Sequence, residues 1–250
     1  MPTAGRIYYF ASKPQGEEQP YVVLIHGAGG THLHWPHNLR RLEDHRVLAL
    51  DLPGHGKSDG IGEQSIDRYT ELVADWLAEI GVERATMIGH SMGGAIAQTL
   101  ALQFPQLVER LVLVSTGAVL PVNQDLLEKA SRPATAPAAM DMIVKWSFNK
   151  GTDPKLLQAA RKQMGTIRPA VLSGDFIACS RFDTTGQLGK ISAPTLVLCG
   201  EADVMTPLRF SQQLQAGIPH AQLVTIPNTG HMLMLEQPEA AAKAIQDFLS

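Results

Sequence analysis

The chain has 250 residues, 44% of them hydrophobic and 18% charged, with a formal net charge of -3. That balance suits a globular protein with a large core and supplies no basic field for nucleic acid or an anionic membrane. No apolar run reaches the roughly 20 residues that a membrane helix needs.

The N-terminus reads as lacking a signal peptide. Arg6 is followed only by the short run Ile7 to Ala11, then by polar residues from Ser12 to Gln19. Cys179 and Cys199 are far apart and form no metal-ligand pattern, so buried free thiols are expected rather than a disulfide. Together these readings give a cytoplasmic expectation.

Strands and helices alternate along the chain. Arg6 to Ala11 is a candidate strand, followed by a polar turn through Pro14 and Gly16. Continuous apolar runs follow at 21–25, 46–50, 85–88, 110–114, 195–199 and 222–226. Unbroken Val/Ile/Leu runs, rather than alternating ones, mark strands buried on both faces of a parallel sheet. Helices are expected at 65–80, with Ser65 as N-cap and Gly81 past the end, at 92–104 and at 238–249. This order predicts an α/β fold with a doubly wound, mostly parallel sheet, whose site lies at the carboxyl ends of the strands.

Residues 117–190 break the rhythm. They offer four helices, near 124–131, 138–148, 154–164 and 169–180, punctuated by prolines. The expected organisation is a core formed by 1–116 and 191–250, with 117–190 as a helical cap over the site; a decoration packed elsewhere is the alternative.

The segment Gly89-His90-Ser91-Met92-Gly93 has the form G-x-S-x-G and joins a strand to a helix. Such a turn strains the serine backbone and thrusts its hydroxyl into the open, near the positive end of a helix dipole. A neutral hydroxyl is a weak nucleophile, so it needs a base and a group that orients the base. On this type of fold the chain order is serine, acid, histidine. Asp203 follows the 195–199 run and His231 follows the 222–226 run, which makes them the candidate acid and base for Ser91. Glu201 stands in the same turn as a minority alternative. No carboxylate follows 110–114 until Asp125.

Donors for an oxyanion are expected from the backbone N–H groups of Met92 and of Ala28, in the glycine-rich loop His26 to Gly30. His26 and His55 are read as loop-shaping, and His90 as facing away from the pocket. His32, His34 and His37 are read as a solvated helix start rather than a metal site. Gly29, Trp146, Met205 and Met232 are candidate pocket residues, methionines giving adaptable apolar walls.

The chain resembles the α/β-hydrolase superfamily, in its small capped esterase, lactonase and C–C hydrolase branch. The resemblance rests on 26–30 (HGAGG), 51–59 (DLPGHGKSD), 89–94 (GHSMGG), 200–203 (GEAD) and 230–231 (GH), and covers nearly the whole chain. It implies Ser91, Asp203 and His231 as nucleophile, acid and base, with no cofactor and no metal. It also implies a small ester or lactone as substrate, and a monomer or homodimer. A C–C hydrolase or enol-lactonase, a cofactor-free haloperoxidase or perhydrolase, and a small-ligand receptor with a vestigial triad remain open. Serine in place of aspartate disfavours dehalogenase and epoxide-hydrolase chemistry. One strand is read before Tyr21, where many relatives have two, so the first edge strand is expected to be missing.

Overall fold

Eight strands form one sheet in the computed structural model, which describes residues 3–4, 6–13 and 19–250. The expected turn through Pro14 and Gly16 lies outside the described residues. The strands are β1 (Thr3–Ala4), β2 (Ile7–Ala11), β3 (Tyr21–Ile25), β4 (Arg46–Leu50), β5 (Ala85–His90), β6 (Val108–Val114), β7 (Thr195–Gly200) and β8 (Gln222–Ile226). Their spatial order is β1-β2-β4-β3-β5-β6-β7-β8. Pairings β1–β2 and β2–β4 are antiparallel and all others are parallel.

The expectation of a missing edge strand is overturned: two residues, Thr3 and Ala4, pair with Tyr8 and Ile7 as the outermost strand. A two-residue strand leaves no hydrophobic period to read.

Alternation along each strand sorts side chains to two cores. Val23 and Ile25 join Tyr69, Val73, Leu77 and Ile96 on one face. Val22 and Leu24 join Trp35, Ile245 and Leu249 on the other. Both sets are buried, which is why the strand reads as an unbroken apolar run.

The helices are α1 (Ile66–Glu79), α2 (Met92–Gln103), α3 (Gln124–Ser131), α4 (Ala136–Ser147), α5 (Pro154–Met164), α6 (Pro169–Arg181), α7 (Leu208–Gly217), α8 (Leu233–Glu236) and α9 (Pro238–Leu249). Ser65 caps α1 by accepting the N–H of Arg68, a contribution of about 1 kcal/mol. Helices α3 to α6 lie between β6 and β7, and the insertion is pinched at its root. Val119 bridges Asp183, and the N–H of Thr184 donates to Ala118 O at 2.8 Å. Leu126, Ile143, Leu172 and Phe176 of this insertion share the core beside β5 and β6.

From β3 the chain steps to β4 on one side, then crosses back to β5 on the other. The loops leaving β3 and β5 therefore diverge and open a crevice at their carboxyl ends. Ile25 pairs with Gly89, so residues 26–28 and 90–92 emerge side by side.

Candidate active site

The turn from β5 into α2 carries Ser91 at φ 52, ψ -117. A non-glycine residue there costs on the order of 1–3 kcal/mol and persists only where its surroundings fix it. The fixing contacts are specific. Ser91 N–H donates to Val114 O at 2.9 Å, and Ser91 O accepts the hydroxyl of Thr116 at 2.8 Å and the N–H of Gly94 at 2.8 Å. The turn closes this tightly because a Cβ on Gly93 would lie 2.1 Å from Ile25 O, and one on Gly89 would lie 2.2 Å from Gly93 O.

Asp203 stands in the loop after β7 and is buried. Its Oδ1 accepts the N–H groups of Met205 and Thr206, each at 2.9 Å. Its Oδ2 accepts the Thr206 hydroxyl at 2.8 Å and lies 2.9 Å from Nδ1 of His231, which follows β8. Burial alone would raise this carboxyl, but the neighbouring His231 and the hydrogen bonds hold it at about 2. An ionised Asp203 keeps the proton of His231 on Nδ1 and leaves Nε2 as the free nitrogen. Glu201, the alternative acid, is exposed. Gly230 N–H donates to Glu236 at 2.6 Å, and Met232 N–H donates to Ser147 O in α4 at 2.9 Å, tying the His231 loop to the insertion.

Ser91, His231, Ala28, Met205 and Met232 line one cavity of about 90 Å³. Met92 is buried at the first turn of α2, beside it. An adjoining cleft of about 320 Å³ shares Pro121, Val122, Phe176 and Met205 with it. Trp146, expected in the pocket, lines this outer cleft instead. Among the described residues, no lysine or arginine lines either space. A larger groove, of about 530 Å³, lies beside Arg6, Arg68 and Trp76, away from Ser91 and His231.

Three further expectations are corrected. Gly29 does not line the cavity; its N–H donates to Oδ2 of Asp175 at 2.7 Å. His90 does not face away from the cavity but lines it: its ring centroid is 4.8 Å from that of His231, and its Nε2–H donates to His231 O at 3.0 Å. The 32–37 cluster is not a solvated helix start. His32 is buried against Asp51 Oδ1 at 2.8 Å, and His34 lines the cavity, its ring pushed by burial down to about 4; only His37 is exposed. A strand end pointing into a crowded crevice overrides the polar character of these side chains.

Sequence reasoning also passed over Asp175, Thr206 and Ser147. Asp175 carried a signal: it is a single carboxylate among Val171, Leu172, Phe176 and Cys179 on one helix. His26 does shape its loop. Its Nδ1–H donates to Gly27 O at 2.8 Å and its Nε2 accepts the N–H of Leu52 at 2.9 Å. Both cysteines are buried free thiols, and burial pushes Cys179 up.

The alpha/beta hydrolase family model matches residues 22–244. The chain belongs to the alpha/beta hydrolase family. It is 29% identical to a 2-hydroxy-6-oxo-6-phenylhexa-2,4-dienoate hydrolase from Burkholderia cepacia, covering 94% of this chain and 88% of that one. Among solved structures it resembles the enol-lactonase from Burkholderia xenovorans LB400, with a TM-score of 0.91, 25% identity and 97% and 96% of the two chains covered. It also resembles a thermophilic esterase, with a TM-score of 0.82, 31% identity and 97% of each chain covered. As a member of this family it is a hydrolase, and among the described residues no helix is long and apolar enough to cross a membrane.

Proposed function

We propose that the protein is a serine hydrolase of uncharged carboxylic esters or lactones, working through an acyl-enzyme on Ser91. One observation carries this reading. A serine held at φ 52 lines the same cavity as His231, whose Nδ1 is engaged by the carboxylate of Asp203. In the proposed sequence, Nε2 of His231 takes the proton of Ser91 as Oγ attacks the carbonyl carbon. The N–H groups of Ala28 and Met92 receive the oxyanion. His231 then protonates the departing alkoxide; water, giving a proton to His231, attacks the acyl carbon, and His231 returns that proton to Oγ of Ser91 as the acid departs.

The absence of lysine and arginine from the described lining favours uncharged substrates. The Burkholderia cepacia relative acts, by its name, on a dienoate, whose carboxylate would find no lysine or arginine in the described lining. Burial also keeps His34, which lines the cavity, neutral near pH 7. Ester and lactone cleavage, matching the names of the two solved structures above, therefore stands ahead of C–C hydrolysis. Residues 117–190 act in this reading as a cap, since Ile143, Ser147 and Phe176 supply part of the cavity wall. The test is hydrolysis of p-nitrophenyl acetate and butyrate and of γ-butyrolactone by the wild type and Ser91→Ala. Turnover should vanish while the melting temperature holds. A Ser91→Ala variant that still turns over at the wild-type rate ends the proposal.

A further inference from the structure

Asp175 lies in α6, within the insertion, yet its carboxylate is completely buried and bonded to three core elements. Oδ2 accepts the Gly29 N–H at 2.7 Å and lies 2.8 Å from Nε2 of His55. Oδ1 accepts the hydroxyl of Tyr69, in α1, at 2.7 Å. The other ring nitrogen of His55 is 3.1 Å from Pro53 O. A carbonyl can only accept, so Nδ1 carries a proton, and Nε2 carries another toward the carboxylate. Burial works against a charged His55, but Asp175 outweighs it and raises the ring's pKa. A carboxylate hidden this way is tolerable only when fully paired, and here every lone-pair direction in use meets a donor.

The Gly29 bond matters for the loop. Gly30 N–H donates to Gly27 O at 3.0 Å, closing a turn with Ala28 and Gly29 at its centre. Gly29 has φ +61, the third-position geometry of a type II turn. Types I and II differ by a flip of the central Ala28–Gly29 peptide. The flipped form would aim the Ala28 carbonyl oxygen at Asp175, two acceptors facing each other without a proton. The carboxylate therefore fixes the peptide that follows Ala28; the Ala28 N–H belongs to the Gly27–Ala28 peptide just before it, and the anchored turn sets where that N–H stands.

We propose that Asp175 is a positioning residue that couples docking of the cap to the shape of the oxyanion loop. The proposal rests on the reading of Ala28 as an oxyanion donor. When α6 is seated, the anchored Gly29 holds the turn, and the Ala28 N–H at its shoulder, in place; when α6 lifts, the central peptide is free to flip and the backbone of Ala28 beside it loses that anchor.

The test compares Asp175→Leu and Asp175→Asn with the wild type, Ser91→Ala and Arg168→Ala. Arg168 also ties the insertion to the core, donating to Gly54 O at 2.8 Å and to Gly60 O at 2.6 Å, and its hydrogen bonds do not involve the 27–30 turn. Removing a whole oxyanion donor costs about 10²–10³ in kcat, so misplacing one should cost Asp175→Leu about ten- to a hundredfold, with KM within about threefold. Asp175→Asn keeps one oxygen without the charge and should lie between. Backbone hydrogen exchange of a peptide covering 26–30 should quicken in both variants. Arg168→Ala should lower the melting temperature and leave kcat within about twofold, because Asp175 still seats α6 on Gly29 once that other tie is gone. If Asp175→Leu keeps wild-type kcat, or Arg168→Ala loses as much, the residue is only a structural tie and the proposal fails. Should Asp175→Leu not fold, unchanged kcat in Asp175→Asn has the same meaning. Should the wild type show no Ser91-dependent turnover, it is the hydrolase reading that fails. The exchange arm then decides Asp175 alone, and unchanged exchange at 26–30 overturns it.

Discussion

The ring of His90 donates its Nε2–H to the backbone carbonyl of His231 across 3.0 Å. The residue before the elbow serine thus fastens the loop that carries the imidazole opposite it. Burial, with His231 close by, holds the His90 ring well below its ordinary pKa, so the ring is neutral and its other nitrogen is a bare acceptor. A net hydrogen bond is worth about 1 kcal/mol, roughly five- to tenfold in a rate if it is lost only at the productive geometry. His90→Leu keeps the volume and deletes the donor. It should lower kcat about five- to tenfold on a p-nitrophenyl ester with little change in KM. An equal rise in KM with constant kcat would mean that His90 shapes binding rather than the His231 loop.

Asp203→Asn should be far more severe. The amide cannot hold the Nδ1 proton of His231 as a carboxylate does, and the comparable change in serine proteases costs about 10⁴ in kcat. Stability should respond with a definite sign. The carboxyl is held at about 2 in the folded protein against 3.8 when unperturbed. A depressed carboxyl stabilises the fold above its unfolded pKa and loses that contribution as pH falls through the folded one, about 2 kcal/mol in all. Urea unfolding should therefore find Asp203→Asn less stable than wild type at pH 7, with the gap closing between about pH 4 and pH 2. A gap independent of pH would assign the loss to packing.

Acid should weaken the wild type well before Asp203 titrates. His26 and His90 are buried and pushed well below 6.5, and His34 is pushed down to about 4. Below pH 6.5 the unfolded chain protonates at these positions while the folded chain does not, so stability falls with pH. His55 runs the other way: its raised pKa gives stability that is full below 6.5 and lost as pH rises through the folded value. Three lowered rings against one raised ring predict a falling melting temperature between pH 7 and pH 4.5, measurable by calorimetry. A flat profile would place these rings in contact with water.

The contributions legible in the sequence were those with a period or a punctuating residue. The buried strands, the capped α1 and the four helices of the insertion follow from apolar spacing, Ser65 and the prolines at 154 and 169. The candidate residues Ser91, Asp203 and His231 all lie in loops that follow strands, and strand order alone brings those loops to one edge. What escaped were contacts between distant segments. A histidine at 34 reads as solvated and one at 90 as facing away from the pocket, because nothing local says that another loop will cover them. Asp175 reads as a stray charge until α1, the 27–30 turn and the loop at His55 converge on it. The edge strand at Thr3 was lost to brevity.

Met205 stands where the inner cavity of about 90 Å³ meets the outer cleft of about 320 Å³, and it lines both. A cavity of about 150 Å³ accepts benzene, so the inner space by itself admits only a short acyl or alkyl group. The Met205 sulfur accepts the hydroxyl of Ser147 at 3.3 Å, a weak tether on a flexible side chain. Met205→Ala would join the two spaces and remove that partition. Each methylene newly seated in an apolar pocket is worth about 1 kcal/mol. Across p-nitrophenyl esters from acetate to octanoate, Met205→Ala should therefore raise kcat/KM for octanoate relative to acetate by about tenfold or more. Met205→Phe, which fills the same junction, should shift the preference toward acetate. If both variants change all chain lengths in parallel, Met205 affects the neighbouring Asp203 loop rather than the boundary. Met205 would then set the overall rate through the Asp203–His231 contact and leave chain-length selectivity unchanged.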